Sequence, residues 1–141
     1  MKNAKVVFAT KTQHSKKIAV ALGGELGVEA LNILNGPHVS DAELLVIVGG
    51  IYAGKSNPDI LAFAEKLTSE TTKKAILVTS SASVSNRSQR EVWKVLVKNG
   101  IEVIDEVSCT GAFLFLKPGH PSKTDIRGIV EKVTDLVGFV Q

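Results

Sequence analysis

The chain has 141 residues, a length at which one domain with a two- or three-layer core needs neither disulfide nor metal staples. Hydrophobic residues make up 44% and charged residues 22%, which excludes a disordered chain, and 17 Lys+Arg against 14 Asp+Glu leave +3, too small and too scattered an excess for a nucleic-acid binder. One cysteine excludes an internal disulfide, no Cys/His cluster has zinc spacing, and no apolar run approaches the ~20 residues of a membrane span.

Met1-Lys2-Asn3-Ala4-Lys5 leads into Val6-Val7-Phe8-Ala9-Thr10. That apolar run is shorter than the roughly 7–15 residue core of a secretory signal, so a cytoplasmic protein is expected. The run itself reads as a first strand. Ile18, Ala21, Leu22 and Leu26 then recur at helical spacing, with Gly23, Gly24 and Gly27 weakening the helix end. Val28 to Leu34 reads as a partly polar edge strand, broken by Asn35-Gly36-Pro37. Leu44-Leu45-Val46-Ile47-Val48 is continuously apolar, as a strand buried on both faces must be.

Asn57-Pro58 supplies an N-cap and a first-turn proline for a helix with Ile60, Phe63, Ala64 and Leu67 on one face. Ala75 to Thr79 is a further buried strand. Ser88-Gln89-Arg90-Glu91 has the form of a capping box ahead of a helix bearing Val92, Trp93, Leu96 and Val97, and Gly100 stands where a C-terminal cap belongs. Ile101 to Val107 mixes apolar and acidic residues, as a half-exposed strand does. The last helix begins near Ser122-Lys123-Thr124-Asp125, with Ile126, Ile129, Val130, Val133, Leu136, Val137 and Val140 as its apolar face. There is no internal repeat and no linker, so residues 1–141 read as a single domain.

Strands alternating with helices imply an α/β three-layer sandwich with a five-stranded parallel sheet. Right-handed crossovers favour the order 2-1-3-4-5, in which ligands bind beyond the carboxyl ends of the strands, at the switch between the first and third. Three loops fall there. Thr10-Lys11-Thr12-Gln13-His14-Ser15 sets hydroxyl and amide groups at a helix N-terminus, an anion site by its chemistry, although an ordinary capped turn uses the same residues. It lacks the Gly-Lys-Thr run of a triphosphatase and the Gly-x-Gly-x-x-Gly of a dinucleotide site. Gly49-Gly50-Ile51-Tyr52-Ala53-Gly54-Lys55 lets backbone approach a flat ligand against Tyr52. Thr79-Ser80-Ser81-Ala82-Ser83-Val84-Ser85 offers small polar groups to a ring edge, or is a solvated loop.

Cys109 reads as a small buried hydrophobe, for no basic residue adjoins it. His14, His38 and His120 have no metal-ligand spacing, and Asp59, Glu65, Asp105 and Glu106 read as solvated or capping. No acid-base pair or nucleophile triad assembles from these residues.

Phe8-Ala9-Thr10-Lys11-Thr12-Gln13-His14-Ser15-Lys16-Lys17-Ile18-Ala19 resembles the first strand, phosphate loop and helix start of the flavodoxin superfamily. Gly50-Ile51-Tyr52-Ala53-Gly54-Lys55 resembles its flavin-packing loop. Cys109-Thr110-Gly111-Ala112-Phe113, Lys117-Pro118-Gly119-His120-Pro121 and Asp125 resemble the C-terminal signature of the branch that contains menaquinone-dependent protoporphyrinogen dehydrogenases. The resemblance spans nearly the whole chain. It implies non-covalent FMN, with Thr10, Thr12, His14 and Ser15 on the phosphate and Lys11 and Gln13 in the same loop. It places Gly50, Ile51, Tyr52, Ala53 and Gly54 against one side of the isoalloxazine, and Ser80, Ser81, Ala82 and Ser83 along another edge. An electron carrier served by a redox partner protein, either reductase or acceptor, and a small flavin oxidoreductase both fit. The alternative is a non-enzymatic binding or regulatory domain with a degenerate flavin site, since Gln13-His14 stands where the family's phosphate loop usually has a glycine.

Overall fold

The apolar runs pair into one sheet. The computed structural model describes residues 3–9, 14–36, 39, 41–52, 55–81, 88–110 and 123–140. β1 (Ala4–Phe8) leads to α1 (His14–Leu26) and β2 (Ala30–Asn32), and a 3-10 turn covers Ile33–Asn35. β3 (Ala42–Tyr52) is followed by a short arm, β4 (Lys55–Ser56), and then by α2 (Pro58–Glu65). β5 (Thr72–Ser81), α3 (Arg90–Lys98), β6 (Glu102–Thr110) and α4 (Lys123–Val140) complete the order.

The sheet runs β2-β1-β3-β5-β6 with every neighbour parallel, and β4 pairs antiparallel with β3. With that two-residue arm set aside, the order is the expected 2-1-3-4-5. Successive strand residues feed opposite layers, because side chains alternate across a strand. Val7, Leu45, Ile47 and Leu77 pack under Ile60 and Ala64 of α2 and Val92 and Leu96 of α3. Val6, Val46, Ile76 and Val78 pack under Ile18 and Leu22 of α1 and Ile129 and Val133 of α4. These are the three layers. Burial of each Leu, Ile or Val side chain contributes about 1.5–3 kcal/mol.

Several local details differ from the reading by pattern. β2 stops after three residues because Asn32 turns the chain: its Oδ1 accepts from Leu34 N–H at 2.9 Å, and Gly36 closes the turn at φ 61°. β3 extends past the apolar run at both ends. The capping box before α3 does not form. The N-cap is Gln89, which makes no side-chain cap bond, and Glu91 is drawn to Ser56 instead. Val97 is 55% exposed rather than in the core. The Asn57 cap does form, its Oδ1 accepting from Asp59 and Ile60 N–H. Gly100 sits at φ 81° after α3, as a C-terminal cap requires. Beside it, Asn99 Nδ2 donates to Leu67 O at 2.9 Å and Ala64 O at 3.4 Å, so the end of α3 is tied to the end of α2.

Gly23 permits the tight return from α1 to β2. A Cβ there would lie 2.6 Å from Val28 O and 3.3 Å from Ala30 N. Val28 N–H donates to Gly23 O at 2.8 Å across the same contact.

Candidate functional site

β1, β3 and β5 are consecutive in the sheet, and their carboxyl ends bring the starts of all three candidate loops side by side. Phe8 pairs with Val48, Val48 with Val78, and Gly50 with Ser80. From β1 the chain leaves toward β2 on one side, and it returns in β3 on the other. The crevice between such divergent connections is where doubly wound sheets bind ligands. His14 opens α1, and Ser15, 1% exposed, is buried in its first turn. That turn carries no acidic residue, so its dipole faces no competing carboxylate of its own helix. Gly50, Ile51 and Tyr52 end β3, and Ser80 and Ser81 end β5. Thr10, Lys11, Thr12, Gln13, Ala53, Gly54, Ala82 and Ser83 lie outside the described residues, as do His38, His120 and the segment from Gly111 to Pro121.

A buried polar cluster holds the two ends of the serine-rich loop. Gln89, fully buried, donates through Nε2 to Val78 O at 3.0 Å and to Thr79 Oγ1 at 3.1 Å. Thr79 Oγ1 donates in turn to Glu106 Oε2, and the same carboxylate oxygen accepts from Gln89 N–H at 2.8 Å. Thr79 precedes the loop and Gln89 follows it, so one carboxylate on β6 ties its entry to its exit.

The sequence reading of Glu106 as solvated or capping is corrected by these bonds. A register shift explains them. Ala75 pairs with Val103 but Ile76 with Asp105, so β6 carries one extra residue at Ile104. That bulge puts Glu106 opposite Leu77, on the same face of the sheet as Thr79 and α3. Pairing without the shift would direct Glu106 to the other layer. No pattern in the chain marks the bulge in advance, and Gln89 looked like one member of a capping motif.

The tyrosine loop is anchored by a different carboxylate. Ile51 pairs with Ser56 and Tyr52 with Lys55, which makes the end of β3 one arm of a hairpin across residues 53–54. Ser56 N–H donates to Glu91 Oε1 at 2.7 Å, fastening the arm to the first turn of α3. This bond holds the Glu91 carboxyl below its ordinary value of 4.5, against a smaller opposing effect of burial, with Arg90 assisting.

The described surface also has a cleft of about 550 Å³ along the outer flank of α2, lined by Leu34, Val39, Phe63 and Leu67. It adjoins none of the three strand ends. Among the described residues no group of His, Cys, Asp or Glu could hold a metal ion, and no helix is long and apolar enough to cross a membrane.

A doubly wound sheet in this order, with the carboxyl ends of β1, β3 and β5 side by side, defines a flavodoxin-like α/β protein. The profile of the flavodoxin domain matches residues 5–127, and the chain belongs to that family. An uncharacterised protein of Methanocaldococcus jannaschii is 28% identical over 138 residues, covering 87% of this chain and 91% of that protein. A short-chain flavodoxin associated with a non-canonical PDU bacterial microcompartment superposes with a TM-score of 0.72 at 21% identity, over 100% of both chains. The flavodoxin of Streptococcus pneumoniae TIGR4 superposes with a TM-score of 0.66 at 18% identity, covering 96% of this chain and 97% of that one. The two structural likenesses are likenesses of fold.

Proposed function

We propose that residues 1–141 form one domain that binds FMN non-covalently and takes part in electron transfer. The observation that carries this reading is that β1, β3 and β5, the strands that lead into the three candidate loops, are neighbours with their carboxyl ends side by side at the switch point of the sheet. The described part of that crevice fits the group. The first turn of α1 has no carboxylate to repel a phosphate, Gly50 stands near the end of β3, and Glu91 and Glu106 hold Ser56 and Gln89, the described residues that follow the other two loops.

Thr10, Thr12, His14 and Ser15 would hold the phosphate, with Lys11 and Gln13 in the same loop. Gly50, Ile51, Tyr52, Ala53 and Gly54 would flank the ring on one side, and Ser80, Ser81, Ala82 and Ser83 would line another edge. When bound, the flavin supplies the one- or two-electron redox chemistry. The chain's own residues anchor, orient and shield. Hydroxyls and N–H groups neutralise the phosphate at the α1 dipole, Tyr52 offers a face for stacking, and backbone groups of the serine loop meet the ring's polar edge. Both a carrier that requires a redox partner protein and an oxidoreductase with its own substrate are consistent with this site.

An absorption titration tests the reading. Adding FMN to purified protein is expected to shift and sharpen the flavin bands, with saturation at one equivalent. Flavin bands identical to those of free FMN throughout the titration would overturn it, in favour of a binding domain without flavin.

A further inference from the structure

The ends of the sheet differ in charge, and in α1 the difference runs against the helix dipole. Lys16 and Lys17 stand exposed in its first turn and Glu25 in its last, with no acid in the first turn and no base in the last. That is the reverse of what the helix dipole favours, and each such misplacement costs about 0.3–1 kcal/mol at a surface site. Arg90 is the exposed first residue of α3, whose first turn also holds Glu91. Lys55 is exposed on β4, beside the candidate crevice.

Against these cations, the described first turns of α1, α2 and α3 and the β3–β4 arm hold two carboxylates, Asp59 and Glu91. Glu91 is already engaged by Ser56 N–H. The opposite end of the sheet exposes Glu25, Glu29, Asp41, Glu43 and Glu70 beside Lys66, Lys73 and Lys98. Among the described residues, cations therefore outnumber carboxylates at the carboxyl end of the sheet, and carboxylates outnumber cations at the other.

We propose that the carboxyl end of the sheet, through Lys16, Lys17, Lys55 and Arg90, is a docking surface for a redox protein with an acidic face. The proposal rests on the flavin reading for its redox content, because electrons would pass at that same end. Opposed charge steers such encounters and sets their orientation, raising association rates by about 10–10³-fold at low salt. Four scattered cations around a crevice suit a compact acidic patch better than the regular phosphate rows of a duplex, which demand a longer basic stripe.

Cytochrome b5, which is acidic, and cytochrome c, which is basic, serve as paired probes. Association of the full chain with each is measured by isothermal titration, flavin-free and after FMN addition, at low salt and at about 0.3 M salt, where charges beyond roughly 6 Å are screened. The expected result is binding to cytochrome b5 that weakens about tenfold or more with salt, and none to cytochrome c. Lys16→Glu/Lys17→Glu/Lys55→Glu is expected to reverse that preference. Lys66→Glu/Lys73→Glu/Lys98→Glu carries the same charge change at exposed sites on the other end, and is expected to keep cytochrome b5 affinity within about twofold. Circular dichroism checks the fold of each variant, and the salt dependence of the unaltered chain decides the matter by itself if a variant does not fold.

Equal losses in both triple variants, a preference for cytochrome c, or tighter binding to a DNA oligonucleotide than to cytochrome b5 would overturn the proposal. FMN binding without cytochrome b5 binding removes the docking surface alone. Cytochrome b5 binding without FMN binding removes the flavin reading and leaves the surface.

Discussion

Gln89 Oε1 lies against the α-carbon of Gly49: a Cβ built on Gly49 would sit 2.9 Å from it, and 3.4 Å from Ile60 Cγ1. The oxygen is buried and makes no hydrogen bond of its own, while the amide nitrogen is held by Val78 O and Thr79 Oγ1. The glycine thus makes room for the side chain that closes the base of the serine-rich loop. Gly49→Ala is expected to destabilise the fold by about 1–3 kcal/mol, since an amide with two bonds to keep cannot simply swing away. In a Gln89→Ala background the same substitution should cost appreciably less. Urea denaturation of the four proteins of this cycle measures the coupling, and additive losses would refute the contact.

Two neighbouring glycines of α1 give opposite expectations. Gly23→Ala drives a methyl group to 2.6 Å from the backbone oxygen of Val28, and backbone cannot rotate out of the way, so a loss of about 1–3 kcal/mol is expected. At Gly24 nothing lies within 4 Å and the position is exposed. Gly24→Ala should stabilise by about 0.4–1 kcal/mol, through a stiffer unfolded chain and better helix propensity. Thermal unfolding separates the two, and similar shifts in both would contradict the close α1–β2 return.

The Glu91 carboxyl supplies a pH dependence with a definite sign. Its value in the folded chain is held below the ordinary 4.5 by Ser56 N–H, so the folded state favours the ionised form. The contribution is present in full above the unfolded value and is lost as pH falls through the folded one. Glu91→Gln is therefore expected to cost about 1 kcal/mol at neutral pH, modest because the group is near solvent. The difference from the unaltered protein should shrink below pH 4.5. Denaturant titrations at several pH values test this, and a gap that stays constant into acid would refute it.

How much of this was legible in the chain varied with the kind of interaction. Leu44 to Val48 and Ala75 to Val78 are apolar on every residue, and only strands buried on both faces require that, so the central strands and their layers followed from pattern. Asn57-Pro58 and Gly100 were legible because capping is a local matter of one or two residues. Gln89, Thr79 and Glu106 were not legible as a unit. Their association depends on a one-residue bulge in β6, a register property set by pairing between distant segments. Glu91 was misassigned for a related reason: its carboxylate had a local partner in prospect and found a better donor 35 residues away, on Ser56.

Tyr52 ends β3 where the hairpin begins, and it is the aromatic residue within the three candidate loops. A phenol stacked on a flavin quenches its emission by electron transfer to the excited ring. Tyr52→Leu is expected to raise the fluorescence of bound FMN several-fold at saturating protein while leaving a bound state to measure. Emission unchanged from the parent complex would place the tyrosine away from the ring.

The last expectation separates phosphate binding from ring binding. α1 opens at His14 with no acid in its first turn, and Thr10 and Thr12 immediately precede it in sequence. A helix N-terminus supplies free N–H groups and partial positive charge, while threonine hydroxyls supply further donors to phosphate oxygens. Riboflavin shares the ring and lacks the phosphate. Thr10→Ala/Thr12→Ala therefore removes interactions that only FMN makes. At about 0.5–1.5 kcal/mol for each hydrogen bond, and up to about 3 for one to a charged acceptor, the pair should lower FMN affinity by about 10–100-fold. Riboflavin affinity should change by less than about threefold, which corresponds to under 1 kcal/mol. Fluorescence titrations of both flavins against both proteins give the comparison directly. Equal losses for the two ligands would show that the substitutions disturb the ring site, and that the phosphate is held elsewhere.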